Sequence, residues 1–389
     1  RYLYIVILRF RSSKVFSQVD ITIVPKPSQE PSFTIGEFHE FTMDNGLKVI
    51  VVENSRIPRI TYQLRIDRQP LFEAEKAGYS YIAGQLLSAG TKSRTKAQLN
   101  EEVDFYGARL FTGSTLVYCT GLSRHKNELM DILADVTLNP VFPQDELDKL
   151  KSQILGSLQT DKEDPSSISS NITSAVVYGK NHPYGEIETE ETISAISLED
   201  VKDYYNQFFT PKAGYLVIYG DITLADAKKM ANAKFGKWDG HKLVKGIIDV
   251  PELPASNQVS FGHKTGAVQS VLKVTYPIVN KPGSEDEVAS SIMNAILGGA
   301  SFGARLMQNL REDKAYTYGC RSSLGNGEYV SSFSAGASVR TEVTDSDLAE
   351  ILNEMQGLID AKATESELIR VKARLTGAFC RGLESTPHK

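Results

Sequence analysis

Hydrophobic and polar positions follow two patterns along this chain, one typical of strands and the other of amphipathic helices. Asn45-Gly46 lies between two short apolar runs, and this dipeptide predicts an antiparallel hairpin. The segment 126–138 has the spacing of an amphipathic helix, with one apolar face made of Leu129, Ile132, Leu133 and Val136. Because hairpins and paired helices are mixed in this way, the pattern favours an α+β fold over a doubly wound parallel sheet.

The same patterns predict two successive rounds of elements. Strands are expected over residues 47–52, 60–67, 116–122, 215–219, 270–276 and 329–339. Helices are expected over residues 77–88, 98–106, 126–138, 147–158, 198–208, 285–297, 304–311, 345–361 and 365–383, with one more from Leu224. The two rounds are separated by a stretch with two prolines, so we expect two domains.

Proline positions set the expected domain boundaries. Residues 1–34 are expected to form a leader or extended segment, in which the apolar run 2–8 is a signal-peptide remnant, a β-strand or an upstream translation artefact. The first domain is expected to span residues 35–245 and the linker residues 246–258. The second domain then occupies residues 259–389.

Charge and composition exclude several classes of function. The chain has 43 basic and 48 acidic residues, giving a net charge of −5 without a basic block, so a general nucleic-acid binder is not expected. No apolar run reaches the about 20 residues of a membrane span. The cysteines, Cys119, Cys320 and Cys380, are widely separated and lack metal-ligand spacing.

Spacing alone reveals no catalytic site. His125 begins an HxxE pattern, but Leu129 stands where a second zinc ligand would be. His182 is expected to serve in a turn or in packing. The glycine-rich segment 297–303 is not followed by the Lys and Ser or Thr of a phosphate-binding loop, and no nucleophile elbow is present.

Five segments carry a family resemblance: FTMDNGLKVIVVEN (41–54), Gly90-Thr91-Lys92, NHPYGEIETEETISAISLEDVKDYYNQFFTP (181–211), YLVIYGDIT (215–223) and NAILGGASFGARLMQNLREDKAYTYG (294–319). Together they resemble the pitrilysin/insulinase-type zinc metallopeptidases, which include the mitochondrial processing peptidase and the core subunits of cytochrome bc1. The resemblance implies two homologous α+β domains, each with a mixed or antiparallel sheet packed against helices. It also implies that the second domain lacks a closing helix and strand.

The zinc motif of that family is degenerate in this chain. Its inverted HxxEH falls on residues 81–85, where Tyr81 and Gln85 replace the histidines and Gly84 replaces the general base. The third ligand position falls near Ser157. A phenol with a pKa of about 10 and an amide are poor substitutes for two imidazoles, and glycine has no base. We therefore expect no metal or other cofactor on this chain, with zinc on a partner subunit instead.

A second part of the family's machinery is present. The resemblance implies an Arg and a Tyr seven residues later, supplied to a zinc site by the facing domain, and these match Arg311 and Tyr318. A phenol can stabilise a developing oxyanion, and losing such a donor costs about 2.7–4 kcal/mol. Considered in isolation, Arg311 has the features of a solvated helix end and Tyr318 those of an aromatic residue in a buried strand. We also expect substrate contacts from the glycine-rich segment, at Gly298, Gly299 and Ser301.

Two functions from different classes follow. The chain is either the non-catalytic subunit of a heterodimeric peptidase, or a structural or peptide-binding pseudo-peptidase that acts as a scaffold or homodimer. In the first case it is inactive alone, binds unstructured peptides and contributes Arg311 and Tyr318 to an HxxEH-bearing partner. Activity of this chain by itself would require a metal site assembled elsewhere. The segment 177–192 resembles bacterial members most closely, which favours a periplasmic location, with the cytoplasm as the alternative.

Overall fold

The computed structural model describes residues 37–299 and 302–382. The leader expected over residues 1–34 and the substrate contact expected at Ser301 lie outside the described residues. In the described part the strands are β1 (His39–Thr42), β2 (Lys48–Glu53), β3 (Arg59–Ile66), β4 (Arg109–Thr112), β5 (Leu116–Leu122), β6 (Gly214–Gly220), β7 (Gln269–Ile278), β8 (Thr317–Leu324) and β9 (Ser331–Arg340).

The helices of the described part are distributed over both halves of the chain. The first half has α1 (Tyr79–Leu86), α2 (Lys96–Phe105), α3 (Lys126–Leu138), α4 (Gln144–Asp161), α5 (Pro165–Tyr178), α6 (Glu190–Ala195), α7 (Leu198–Phe208) and α8 (Leu224–Phe235). The second half has α9 (Glu287–Asn294), α10 (Arg305–Met307), α11 (Thr344–Asp360) and α12 (Glu365–Gly382). Wider π-helical turns continue α9 over Ala295–Gly299 and α10 over Gln308–Asp313.

The first sheet contains six strands in the order β1-β2-β6-β3-β5-β4. Only β2 and β6 are parallel, and every other neighbouring pair is antiparallel. The alternating pattern of these strands turns one set of side chains into a core that the helices cover, and this core includes Tyr62, Leu64, Val117, Ile132 and Leu216, all fully buried.

The predicted hairpin at Asn45-Gly46 connects β1 to β2. Gly46 has a φ of +92°, a conformation that residues with a β-carbon rarely adopt. Asn45 Nδ2 donates hydrogen bonds to the carbonyl oxygens of Phe235 and Trp238, at 2.7 and 2.8 Å. The turn therefore also fixes the end of α8 against the sheet.

The second sheet repeats part of the first. Its order, β7-β9-β8, is antiparallel throughout and matches the β3-β5-β4 portion of the first sheet. The elements also follow the same sequence, since β3, α1, α2, β4, β5, α3 and α4 correspond in order to β7, α9, α10, β8, β9, α11 and α12. This duplication confirms the predicted α+β fold of two homologous domains.

One ion pair occurs at the same place in both halves. Lys96, the first residue of α2, pairs with Glu146, the third residue of α4, at 2.5 Å. Arg305, the first residue of α10, pairs with Glu367, the third residue of α12, through two bonds of 2.7 and 3.0 Å. The bonds from Arg305 lower the pKa of Glu367 to about 2. Each half is thus closed by a clamp between its second and last corresponding helices.

The chain between α8 and β7 contains no helix or strand among the described residues, and the predicted linker 246–258 lies inside this stretch. It is tied to the first half by His182, which is buried. The ring accepts a hydrogen bond from Tyr184 N at Nδ1, so Nε2 donates to the carbonyl oxygen of Asp249, at 3.1 Å. Lys245 adds an ion pair with Asp67 at 2.8 Å. The domain boundaries themselves stay a prediction.

A carboxyl group is buried without partners in the second half. Asp347 in the first turn of α11 is fully buried, and in the described part of the chain neither of its oxygens has a hydrogen-bond partner. Burial raises its pKa from 3.8 to about 6. A folded-state pKa above the unfolded value means that the native state binds the proton more tightly, so stability falls as pH rises through 6.

We expect Asp347 to cost about 3 kcal/mol of unfolding free energy above pH 7, relative to acid conditions below pH 4. Asp347→Asn should recover about 1–2 kcal/mol at pH 7.5 and flatten the pH dependence, because the amide cannot ionise. Urea unfolding between pH 4 and 8 measures this. Asp345→Asn, on an exposed residue of the same turn, is the control. An unchanged pH profile in Asp347→Asn would contradict the assignment.

Candidate functional site

The helix that carries the degenerate zinc motif is α1, and it is fixed at its start by a glutamate. Glu73 Oε2 accepts a hydrogen bond from the backbone N–H of Gly78 at 2.8 Å, where α1 begins. The side chain of Tyr81 is 47% exposed and has no polar partner among the described residues. Gln85 Nε2 donates to the carbonyl oxygen of Thr112, the last residue of β4, at 3.4 Å. The amide of Gln85 is therefore directed to the edge of the sheet.

Gly84 packs against main chain. A β-carbon at this position would lie 2.8 Å from the Cα of Gly113 and would overlap the backbone of Ser114, in the turn between β4 and β5. Cβ atoms do not approach other atoms this closely, so a side chain at position 84 would displace either the helix or the turn. The position of the family's general base is thus occupied by the backbone of the adjacent turn.

The remaining position of the predicted motif, Ser157, is exposed on α4. No hydrogen bond joins it to Tyr81 or Gln85 in the described part of the chain. Across residues 37–299 and 302–382, no group of three His, Cys, Asp or Glu side chains is placed to hold a metal ion. A phenol, an amide and a hydroxyl do not fit zinc, which proteins bind through imidazole, thiolate and carboxylate.

The loop that follows α1 is held by one buried carboxylate. Asp135 Oδ2 accepts hydrogen bonds from Thr91 Oγ1, Ser93 Oγ and Arg94 Nη1, at 2.6, 2.6 and 2.7 Å. Burial alone would raise the pKa of Asp135, but these hydrogen bonds outweigh it and the pKa is lowered. Because both ends of α1 are anchored, the degenerate motif sits on a rigid helix.

The structure brings Arg311 and Tyr318 together in the second half. Arg311 lies in the π-helical turn after α10, and its Cζ is 4.7 Å from the centroid of the Tyr318 ring. Phe302 covers the guanidinium as well, with a centroid distance of 4.5 Å. Cation–π contacts with two rings restrict where the guanidinium can lie. Phe302 was not identified from the sequence, although it is an aromatic residue within the glycine-rich segment and nine positions before Arg311.

Tyr318 is 88% exposed at the start of β8. This overturns the alternative that it is an aromatic residue of a buried strand, because its position in the strand turns the ring away from the sheet's core. Its hydroxyl has no hydrogen-bond partner among the described residues. The phenol is therefore free to donate to a group outside this chain.

The turn that carries Arg311 is anchored to α11. Asn309 Nδ2 donates to Glu350 Oε2 and to Glu354 Oε1, at 2.9 and 2.8 Å. Lys314 Nζ pairs with Glu350 Oε1 at 2.9 Å. Bonds on both sides of Arg311 thus fix its backbone.

The two predicted substrate-contact glycines differ in environment. Gly298 is buried, and a β-carbon there would lie 2.5 Å from the backbone nitrogen of Ser322 in β8, whereas Gly299 is exposed. Like Gly84, Gly298 therefore packs against the backbone of a neighbouring segment. No hydrogen bond, ion pair or ring contact joins Arg311 or Tyr318 to the α1 positions in the described part of the chain.

Family models match both halves of the chain. The model described as insulinase, peptidase family M16, matches residues 48–188, and the model described as peptidase M16 inactive domain matches residues 195–375. An uncharacterized zinc protease of Bacillus subtilis is 25% identical over 90% of this chain and 85% of its own length. Subunit 1 of the mitochondrial cytochrome b-c1 complex of Bos taurus is 25% identical over 88% of this chain and 74% of its length.

Solved structures share the fold. A peptidase M16 inactive domain from Pseudomonas fluorescens superposes with a TM-score of 0.79 at 22% identity, covering 88% of this chain and 84% of that one. A protease from Helicobacter pylori superposes with a TM-score of 0.78 at 19% identity, covering 91% of this chain and 87% of that one. No helix in the described residues is both long and apolar enough to span a membrane.

This chain belongs to peptidase family M16 and lacks the family's zinc-binding motif, as the matched models, the duplicated fold and the residues at positions 81, 84 and 85 together show.

Proposed function

We propose that this chain is the non-catalytic subunit of a heterodimeric M16 peptidase, which binds unfolded peptides and presents Arg311 and Tyr318 to the active site of an HxxEH-bearing partner. The observation that carries the proposal is the exposure of Tyr318, 88%, on a guanidinium that is held in place. A phenol that served only the fold would be buried or bonded within the chain.

The chemistry of the pair suits peptide cleavage. The Tyr318 hydroxyl is a hydrogen-bond donor for a carbonyl oxygen that gains negative charge during attack. Arg311 carries a permanent positive charge and further N–H donors for a neighbouring peptide carbonyl. In a closed interface between two subunits, water is excluded and both interactions become stronger.

The sheet edge beside α1 supports peptide binding. Among the described residues, β4 pairs only with β5 and is the last strand of its sheet. An open strand edge offers backbone donors and acceptors to an extended peptide, independent of its sequence. Phe111 on β4 is 52% exposed and adds an apolar contact surface.

The test is cleavage of a fluorogenic unstructured peptide by this chain, by an HxxEH-bearing M16 homologue from the same genome, and by their equimolar mixture. We expect cleavage by the mixture only. A homologue that is equally active with and without this chain would contradict the proposal for that pair.

A second function, a structural or peptide-binding scaffold without a role in cleavage, is favoured by one observation. Subunit 1 of the bovine cytochrome b-c1 complex, a component of a larger assembly, resembles 88% of this chain. A stable complex that forms without any gain in cleavage would support this function. A periplasmic location for either function stays a proposal, which fractionation against cytoplasmic markers tests.

A further inference from the structure

We propose that Phe302 is a positioning residue for the Arg311–Tyr318 pair, and that its ring holds the guanidinium beside Tyr318 for contact with a bound peptide. This inference rests on the proposed function and adds a third residue to the site. Phe302 lies 4.5 Å and Tyr318 4.7 Å, centroid to Cζ, from the same guanidinium.

The environment of Arg311 leaves few other groups to orient it. Its nearest carboxylate in the described part is Glu312, the adjacent residue, at 3.5 Å, which is longer than the distances of charge-assisted hydrogen bonds. The anchors at Asn309 and Lys314 fix the backbone of the turn but do not contact the guanidinium. The two rings are therefore the contacts that hold the Arg311 guanidinium in place.

Phe302 itself is held by the turn that follows it. Its carbonyl oxygen accepts a hydrogen bond from Gln308 Nε2 at 2.6 Å, while its ring remains 58% exposed. Because much of the Phe302 ring stays in contact with water, burial of apolar surface contributes little to its stability there. Its contact with Arg311 is the structural reason for an aromatic residue at this position. With both rings against it, the guanidinium keeps its N–H donors for a carbonyl or carboxylate oxygen.

The experiment uses the cleaving mixture described above with Phe302→Leu in this chain. A cation–π contact at an exposed site corresponds to a fall in kcat/KM of about two- to five-fold, which we expect mainly in kcat. Phe302→Trp should retain wild-type cleavage, because it keeps a ring over the guanidinium. Phe105→Leu is the matched control, since Phe105 is 80% exposed but contacts Tyr106 and not Arg311.

A double-mutant cycle separates positioning from general structural effects. In an Arg311→Ala background, Phe302→Leu should have no further effect, because Phe302 acts through Arg311. Equal effects of Phe302→Leu with and without Arg311 would overturn the inference, as would unchanged kinetics of Phe302→Leu in the wild-type background. If Arg311→Ala and Tyr318→Phe also leave cleavage unchanged, the proposed function itself fails. If those two slow cleavage and Phe302→Leu does not, only the role of Phe302 fails.

Discussion

Gly84→Ala is expected to destabilise this protein by about 3 kcal/mol, although alanine is the better helix former. The added methyl group would meet the backbone of Gly113 and Ser114, a turn that is held by a 2.6 Å hydrogen bond from the Tyr204 hydroxyl to the Ser114 carbonyl oxygen. Glu73 anchors the start of α1, and Asp135 anchors the loop that follows it. Urea unfolding of the purified chain measures the loss of unfolding free energy.

The control for Gly84 has the opposite expected sign. Gly156 lies within α4, and a β-carbon there would meet no atom within 4 Å. Gly156→Ala should therefore stabilise the protein by about 0.5–1 kcal/mol, through helix propensity alone. If Gly84→Ala changed the unfolding free energy as little as Gly156→Ala does, the β4–β5 turn would not fill the space beside Gly84.

The same packing bears on restoring the zinc motif. Tyr81→His, Gly84→Glu and Gln85→His together re-create the HxxEH letters, but the glutamate would have to enter the space occupied by the turn. We expect an unstable variant without stoichiometric zinc, as measured by elemental analysis after dialysis. A stably folded triple variant that holds one zinc per chain would contradict this account.

Tyr318→Phe is expected to lower kcat of the cleaving mixture by about 10²–10³-fold, the usual loss for one oxyanion donor. The ring stays on Arg311, so the substitution removes only the hydroxyl. Assembly of the two subunits should be unchanged by analytical size exclusion. Tyr276→Phe is the control, because Tyr276 is also partly exposed and stacked, on Phe333 in the second sheet. Unchanged turnover in a correctly assembled Tyr318→Phe pair would contradict the assigned role.

The sequence predicted regular elements well where periodicity was strong. β5 and α3 begin and end where the apolar pattern placed them, at residues 116–122 and 126–138. β8 was not among the strands predicted from periodicity, because Thr317–Leu324 contains a glycine and several polar residues, and its strand geometry comes from pairing with β9. α5 was not predicted, because its segment is rich in serine and threonine, which favour helices only weakly.

The site was predictable only in part. Arg311, Tyr318 and the replaced zinc ligands could be found because a family motif fixes their spacing along the chain. The packing of Gly84 against the β4–β5 turn and of Phe302 on Arg311 depends on residues far apart in sequence or in unusual turns. Such contacts have no local signature, so three-dimensional coordinates were needed to find them.

The clamp that closes each half has an evolutionary consequence. Lys96–Glu146 and Arg305–Glu367 hold corresponding helices together from the same positions, and neither pair involves residues 81, 84 or 85. Substitutions at positions 81 and 85 therefore leave both clamps in place, whereas position 84 is also constrained by its packing against the β4–β5 turn. A gene encoding such a chain can lose its metal ligands by substitution while the clamps preserve both halves.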